Sequence, residues 1–180
     1  MELIDILDER GNPTGKAIAK TEVHRSGLWH RTVHIWIIDG KGRILLQHRS
    51  KRMENYPDMW DISVTGHVRS GESTEQAAFR EIKEEIGLDL AGVELRLIEI
   101  IKGQDVLNNN TYFDNEFNSV YLVKSDLNID QLVLQEEELA GLRWVPVSEL
   151  KEWIVASRPG LVPHAEEYKI LFEKLDNDNL

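Results

Sequence analysis

The chain has 180 residues, 41% of them hydrophobic and 29% charged, enough for one folded domain with a full core. Its formal net charge is −11, from 32 Asp and Glu against 21 Lys and Arg, so it has no general attraction for a nucleic-acid backbone or an anionic membrane. With no cysteine it forms no disulfide, cysteine–zinc site or thiol nucleophile.

The opening MELIDILDERG is acidic at once and lacks the basic-then-apolar plan of a signal peptide. It begins a predicted hairpin: ELIDILD, a turn at ERGNPTG, then KAIAKTEV. RTVHIWIID and RILLQHR form a second hairpin around DGKG. A loop with Pro57 leads to the short strand WDISVT. The spacing predicts a helix from Ser73 to Ile86, with a capping box of Ser73 and Gln76 and a left-handed C-cap at Gly87. Two longer strands follow, VELRLIEIIKG and EFNSVYLVKS, joined by the polar loop QDVLNNNTYFD. LRWVPV is the last strand, VSELKEWIVA and HAEEYKILFEKL are helices, and DNDNL is a frayed tail. No apolar run approaches the roughly 20 residues that cross a bilayer, so the expected compartment is cytoplasmic, with no membrane partner. Strands with interspersed helices predict an α/β (α+β) layered domain.

The segment GHVRSGESTEQAAFREIKEEIGL, Gly66 to Leu88, raises a physical question. At about 100° per residue, Glu81, Glu84 and Glu85 share one helix face, while Phe79, Ile82 and Ile86 face a core. Like charges at this spacing repel. They are most stable around a hard divalent cation such as Mg2+ or Mn2+, which takes oxygen ligands. Arg80 is placed to hold the Glu81 carboxylate. The alternative is a solvated acidic face. Gly66, ending a strand, and Gly71, turning the chain, favour the cation by letting backbone carbonyls approach closely.

This segment resembles the signature of the Nudix hydrolases at every specified position: Gly66, Glu72, Arg80, Glu81, Ile82, Glu84, Glu85, Gly87 and Leu88. The similarity continues into YPDMWDIS before it and GLRWVPVSEL after it. It implies an α/β/α sandwich around a mixed β-sheet. One domain would fill 1–180, with an N-terminal β-hairpin extension at 1–29, the core at 30–155, and a C-terminal helix and tail at 156–180. It also implies hydrolysis of a nucleoside diphosphate derivative or related organic pyrophosphate. Glu81, Glu84, Glu85 and the Gly66 carbonyl would hold the ions, and metal-activated water would attack phosphorus. Glu72 would brace the loop, and Gly87 would close the helix. Two acids outside the box are candidate general bases. Glu116 starts a strand, and Glu138 lies in QEEEL, where surface charge is the alternative reading.

The N-terminal half is also similar to isopentenyl-diphosphate isomerases, through ILDERGNPTGKAIAKTEVH and TGHVRSGES. That resemblance implies a second metal site, here His24, His30 and His67 with DNE, Asp114 to Glu116. The isomerase cysteine position holds Thr65, a poor substitute for a thiolate in moving a proton at carbon. The expected partner is therefore a small-molecule pyrophosphate, on an isomerase-like scaffold with hydrolase chemistry. The alternatives are an isomerase-like enzyme and a non-catalytic ligand-binding module. A homodimer is compatible with the fold; nucleic acid is not expected.

The basic run QHRSKR, with Lys16, Lys20 and Arg31, could frame a phosphorylated ligand or simply be solvated. His34 and His48 have no counterpart in the motif. Trp36 and Trp144 are expected in the core. Trp29 and Trp60 either line a pocket or pack the core.

Overall fold

A computed structural model describes residues 2–90 and 92–177. In the opening hairpin, β1 (Leu3–Leu7) pairs antiparallel with β2 (Pro13–Ala19). Asp8 holds the turn, its Oδ1 accepting hydrogen bonds of 2.9 Å from the backbone N–H groups of Arg10 and Asn12. The second arm departs from the expected strand. Lys20–Ser26 is a short helix, α1, ended by Gly27 in the left-handed region at φ 62°. A helical turn buries the adjacent Val23 and His24 together, whereas strand alternation would send them to opposite faces.

Strands β3 (His30–Ile38) and β4 (Arg43–Arg49) leave their turn paired at Ile38 and Ile44, then take different partners. The expected strand WDISVT divides accordingly. β5 (Trp60–Asp61) joins β4, and β6 (Val64–His67) joins β3. Ser63 sits at the division, its hydroxyl accepting from the Ile37 N–H at 2.9 Å and donating to the Leu45 carbonyl at 2.5 Å.

Helix α2 (Thr74–Ile86) has the predicted capping box and the Gly87 cap, at φ 66°. Its buried arc comprises Ala77, Ala78, Ile82 and Ile86 together with Glu81 and Glu85. Phe79 lies outside that arc and is 37% exposed, against expectation. The two glutamates occupy the side of the arc that Phe79 was expected to balance.

β7 (Arg96–Leu107) and β8 (Tyr112–Lys124) pair antiparallel well into the expected polar loop. The turn shrinks to Asn108–Asn110, at φ 51°, 56° and 67°. Asparagine tolerates this region better than other non-glycine residues. β8 also runs parallel to β3, and β9 (Leu139–Pro146) pairs antiparallel with β4, completing a seven-stranded mixed sheet.

Helices α3 (Val147–Val155) and α4 (Ala165–Asn177) cover one sheet face, packing Leu150, Tyr168 and Leu171 on Trp36, Leu46 and Val120. α2 covers the other, setting Ala78, Ile82 and Ile86 against Val33, Ile35 and Leu45. Each fully buried aliphatic side chain contributes about 1.5–3 kcal/mol. The result is the expected α/β/α sandwich. Of DNDNL, Asp176 and Asn177 close α4, and the remainder lies outside the described residues. Among the described residues, no helix is long and apolar enough to cross a membrane.

Trp36 is fully buried, and Trp144 packs against the α2-side core with Arg43 over its ring. Trp29 packs on Phe117, and Trp60 stacks on His48 at 4.7 Å.

Candidate active site

Alternation along β3 decides what the sheet can offer. His30, Thr32, His34 and Trp36 share one face, running from an open end into the core. β8 lies beside it in parallel register, pairing His30 with Glu116 and Thr32 with Asn118. On the other side β6 pairs Thr32 with His67, His34 with Thr65, and Val33 with Gly66. A cleft of about 520 Å3 opens over these strands and reaches Glu81 and Glu84 of the box.

At the box end, Arg80 organises the loop. Its guanidinium donates to Glu72 Oε1 and Oε2, both at 2.8 Å, to the His67 carbonyl at 2.8 Å and to Glu81 Oε1 at 2.6 Å. Glu72 in turn accepts from the Arg69 N–H at 3.0 Å. Arg80 thus bridges Glu72, the His67 carbonyl and Glu81. Arg69 was not anticipated: it donates to both Glu84 oxygens, at 3.2 and 3.0 Å.

Burial pushes the Glu81 carboxyl up to about 7, with Glu84 and Glu138 adding to the shift and Arg80 opposing it. Glu85 is raised well above the ordinary range by burial, then by Glu81, Glu138 and Asp61. Its Oε2 is buried with no hydrogen-bond partner among the described residues. Gly66 leaves no room to spare, since a Cβ there would stand 2.1 Å from Glu81 Cδ. An acid pair held in this state, with an orphaned oxygen and a glycine cradle, fits a divalent cation.

The second cluster brings together the histidines singled out in the sequence. His24 and His67 approach through their Nε2 atoms at 2.9 Å, and the rings of His24, His30 and His67 lie within 5.3 Å centroid to centroid. His30 Nε2 faces Glu116 Oε1 at 3.4 Å but makes no hydrogen bond. His24 Nδ1 lies 2.9 Å from Asp114 Oδ1. Burial and the neighbouring Lys20 depress His67 well below the usual imidazole range, so it is neutral and able to ligate. This set also fits a cation.

Glu116 and Glu138 both line the cleft, at its histidine end and box end respectively. Glu138 is half-buried, accepting from Gln135 Nε2 at 2.9 Å. Lys20, Arg49 and Arg52 also line it, whereas Lys16, Arg31, Trp29 and Trp60 do not. Arg49 is committed to Asp61 and to the Asn55 carbonyl. The guanidinium of Arg52 takes no partner among the described residues.

His34 has a larger place than its lack of a motif suggested. It lines the cleft and pairs with Glu167 at 2.7 Å, while Trp36 Nε1 donates to the other Glu167 oxygen at 2.7 Å. The repeat of polar residues at alternate positions of HRTVHIW could have pointed to it. His164 and Glu167, brought in by the start of α4, carry no local signal.

Comparison with known proteins follows this geometry. The model of the NUDIX domain matches residues 28–165. The chain belongs to the Nudix family. A Nudix hydrolase of Clostridium acetobutylicum with no characterised function is 36% identical over 85% of this chain and 74% of its own length. Nudix hydrolase 3 of Arabidopsis thaliana is 35% identical over 96% of this chain, which spans only 23% of that relative. An isopentenyl-diphosphate delta-isomerase of Photorhabdus laumondii is 28% identical over 98% of this chain and 91% of its own. In fold, the DR0079 structure from Deinococcus radiodurans superposes with a TM-score of 0.72 at 23% identity, covering 93% of this chain and 98% of that one.

The matched domain is thus a Nudix hydrolase domain, of a family that hydrolyses pyrophosphate linkages and generally uses divalent metal ions. Lys20 and His24 precede the matched Nudix segment, and Glu167 follows it.

Proposed function

We propose that the protein is an Mg2+- or Mn2+-dependent hydrolase of a nucleoside diphosphate derivative or related organic pyrophosphate. The observation that carries this reading is the orphaned, buried Glu85 Oε2 beside Glu81, on a helix whose other box positions are intact. Glu81, Glu84, Glu85 and the Gly66 carbonyl hold the catalytic ions. A divalent cation bound there would supply positive charge to the pyrophosphate and lower the pKa of a bound water. Arg80 keeps Glu81 in place, and Glu72 keeps Arg80 in place.

Glu138 is the better-placed general base of the two candidates, because its charge is felt by both Glu81 and Glu85. Glu116 is instead drawn into the histidine cluster. His24, His30, His67 and Glu116, with Asp114, form a second cation site. Lys20 and Arg52, both lining the cleft, neutralise the substrate's phosphates.

Thr65 supports hydrolysis over isomerisation. It stands on β6 opposite His34 and lines the cleft, but its hydroxyl cannot serve as a thiolate would. The test is a panel of nucleotides, nucleotide sugars, dinucleotides and prenyl diphosphates with Mg2+ or Mn2+ in 18O-enriched water. Solvent 18O should enter a phosphate-containing product. Deuterium from D2O bound to carbon in a recovered prenyl diphosphate, without phosphate release, would overturn the reading.

A further inference from the structure

Asp61 and His164 line the same cleft but belong to neither the box nor the histidine cluster. Asp61, at the end of β5, is buried there with a side chain only 4% exposed. Its Oδ1 accepts from the Ile62 N–H at 2.8 Å and lies 2.8 Å from His164 Nε2, and its Oδ2 accepts from Arg49 Nη1 at 2.9 Å. Burial opposes the Asp61 charge, but His164 and Arg49 outweigh it and hold the carboxyl down to about 2. An ionised carboxylate only accepts, so His164 must present Nε2–H to it. That fixes the ring. Nδ1 is left without a hydrogen bond among the described residues, on a side chain that is 21% exposed and lines the cleft.

His34, His164 and Glu167 are close enough to suggest a cation site. Their bonding argues otherwise. Both Glu167 oxygens are taken, by His34 and Trp36, and His164 is taken by Asp61. None of the three carries an orphaned buried atom, in contrast to His30 and Glu85.

The surroundings decide what the free Nδ1 can meet. Besides His34, the cleft presents Thr32 and Asn118, and its aliphatic lining is Met53, Val162 and Pro163. A prenyl chain gains about 0.8 kcal/mol for each CH2 buried against apolar atoms, and the cleft lining is more polar than apolar. It would also strip water from these polar groups without replacing the hydrogen bonds. A hydroxyl both donates and accepts, so it satisfies Nδ1 whether the imidazole is neutral or charged.

We infer that the cleft beside His164 receives a hydroxyl-bearing group attached to the pyrophosphate, and that His164, oriented by Asp61, is the specificity-determining residue that hydrogen-bonds it. The inference rests on the cleft being the pyrophosphate site proposed above.

The test uses two non-hydrolysable probes with Mg2+, the methylene-bridged diphosphate esters of ribose at its 5-position and of cyclopentylmethanol. They share the diphosphate and ring size and differ in hydroxyl groups. By calorimetry the ribose probe should bind at least about tenfold tighter, the worth of a hydrogen bond at the upper end of the neutral range. His164→Leu should bring the ribose probe to the level of the other, whose own affinity stays within about twofold. His164→Gln, which keeps a polar end, should retain part of the difference, and thermal unfolding of both variants should match the parent. Equal affinities, tighter binding of the cyclopentyl probe, binding of neither, or parallel loss of both in His164→Leu would each overturn the inference. If only the hydrolase reading fails, the His164-dependent contrast persists without turnover of any pyrophosphate. If only this inference fails, turnover persists and the contrast is absent.

Discussion

Gly66 and Glu81 touch so closely that a Cβ on the first would stand 2.1 Å from Cδ of the second. The backbone of Gly66 is not in the left-handed region, so Gly66→Ala strains no dihedral and acts through that collision alone. Glu81 would have to leave its 2.6 Å bond to Arg80. Gly66→Ala should therefore fold and lose about 100-fold or more in turnover, with weakened Mg2+ dependence. Near-parental kinetics in a metal titration would show that the contact does not position Glu81.

Glu85→Gln addresses charge rather than shape. Turnover should fall by about 100-fold or more at saturating Mg2+. Because the folded carboxyl titrates above its unfolded value, the metal-free protein loses stability as pH rises above the ordinary carboxylate range. Glu85→Gln should remove much of that loss and leave the metal-free protein more stable than the parent at pH 8. Urea denaturation in chelator, at pH 5 and pH 8, reads both effects.

The histidine cluster should appear as a separate class of bound metal. Titrated protein should hold cations in two classes, and His67→Ala should abolish one while leaving Mg2+-dependent turnover measurable. Anomalous scattering would locate both. An absence of ions near His24, His30 and His67 would make them structural residues.

His34 and Glu167 give a pH dependence of their own. Burial works against the imidazolium, but Glu167 outweighs it and raises His34 to about 9, while Glu167 itself is lowered. The pair's contribution is complete between the unfolded carboxylate and imidazole values, and fades as pH rises from about 6.5 through about 9. The loss over that range should be on the order of 3 kcal/mol. Glu167→Gln should flatten this limb of the stability profile, measured by urea denaturation at pH 6 and pH 9. An unchanged slope would assign the dependence to other groups.

The box was legible because its chemistry is local. Ser73, Gln76, Gly87 and the glutamates lie within two or three turns of each other, where helical spacing determines what they meet. The histidines needed a resemblance, since His24, His30 and His67 come from a helix and two strands. α1 was read as a strand because seven residues carry too little periodicity to declare a helix. Phe79 was misplaced because a face can contain buried acids, which an apolar pattern counts as exposed. Asp61, His164 and Glu167 were out of reach. Their partners lie 103 and 133 residues apart in the chain, and each looks ordinary in its own segment.

Residues flanking the matched segment build part of the wall: Lys20 from one side, and Glu167 through His34 from the other. The recognisable module and the working unit are therefore different lengths of chain. A fragment cut to residues 28–165 would keep every box position yet lose the cleft-lining Lys20, one imidazole of the histidine cluster and the counter-ion beneath His34. Such trimming would alter the cleft at margins that the family model leaves out.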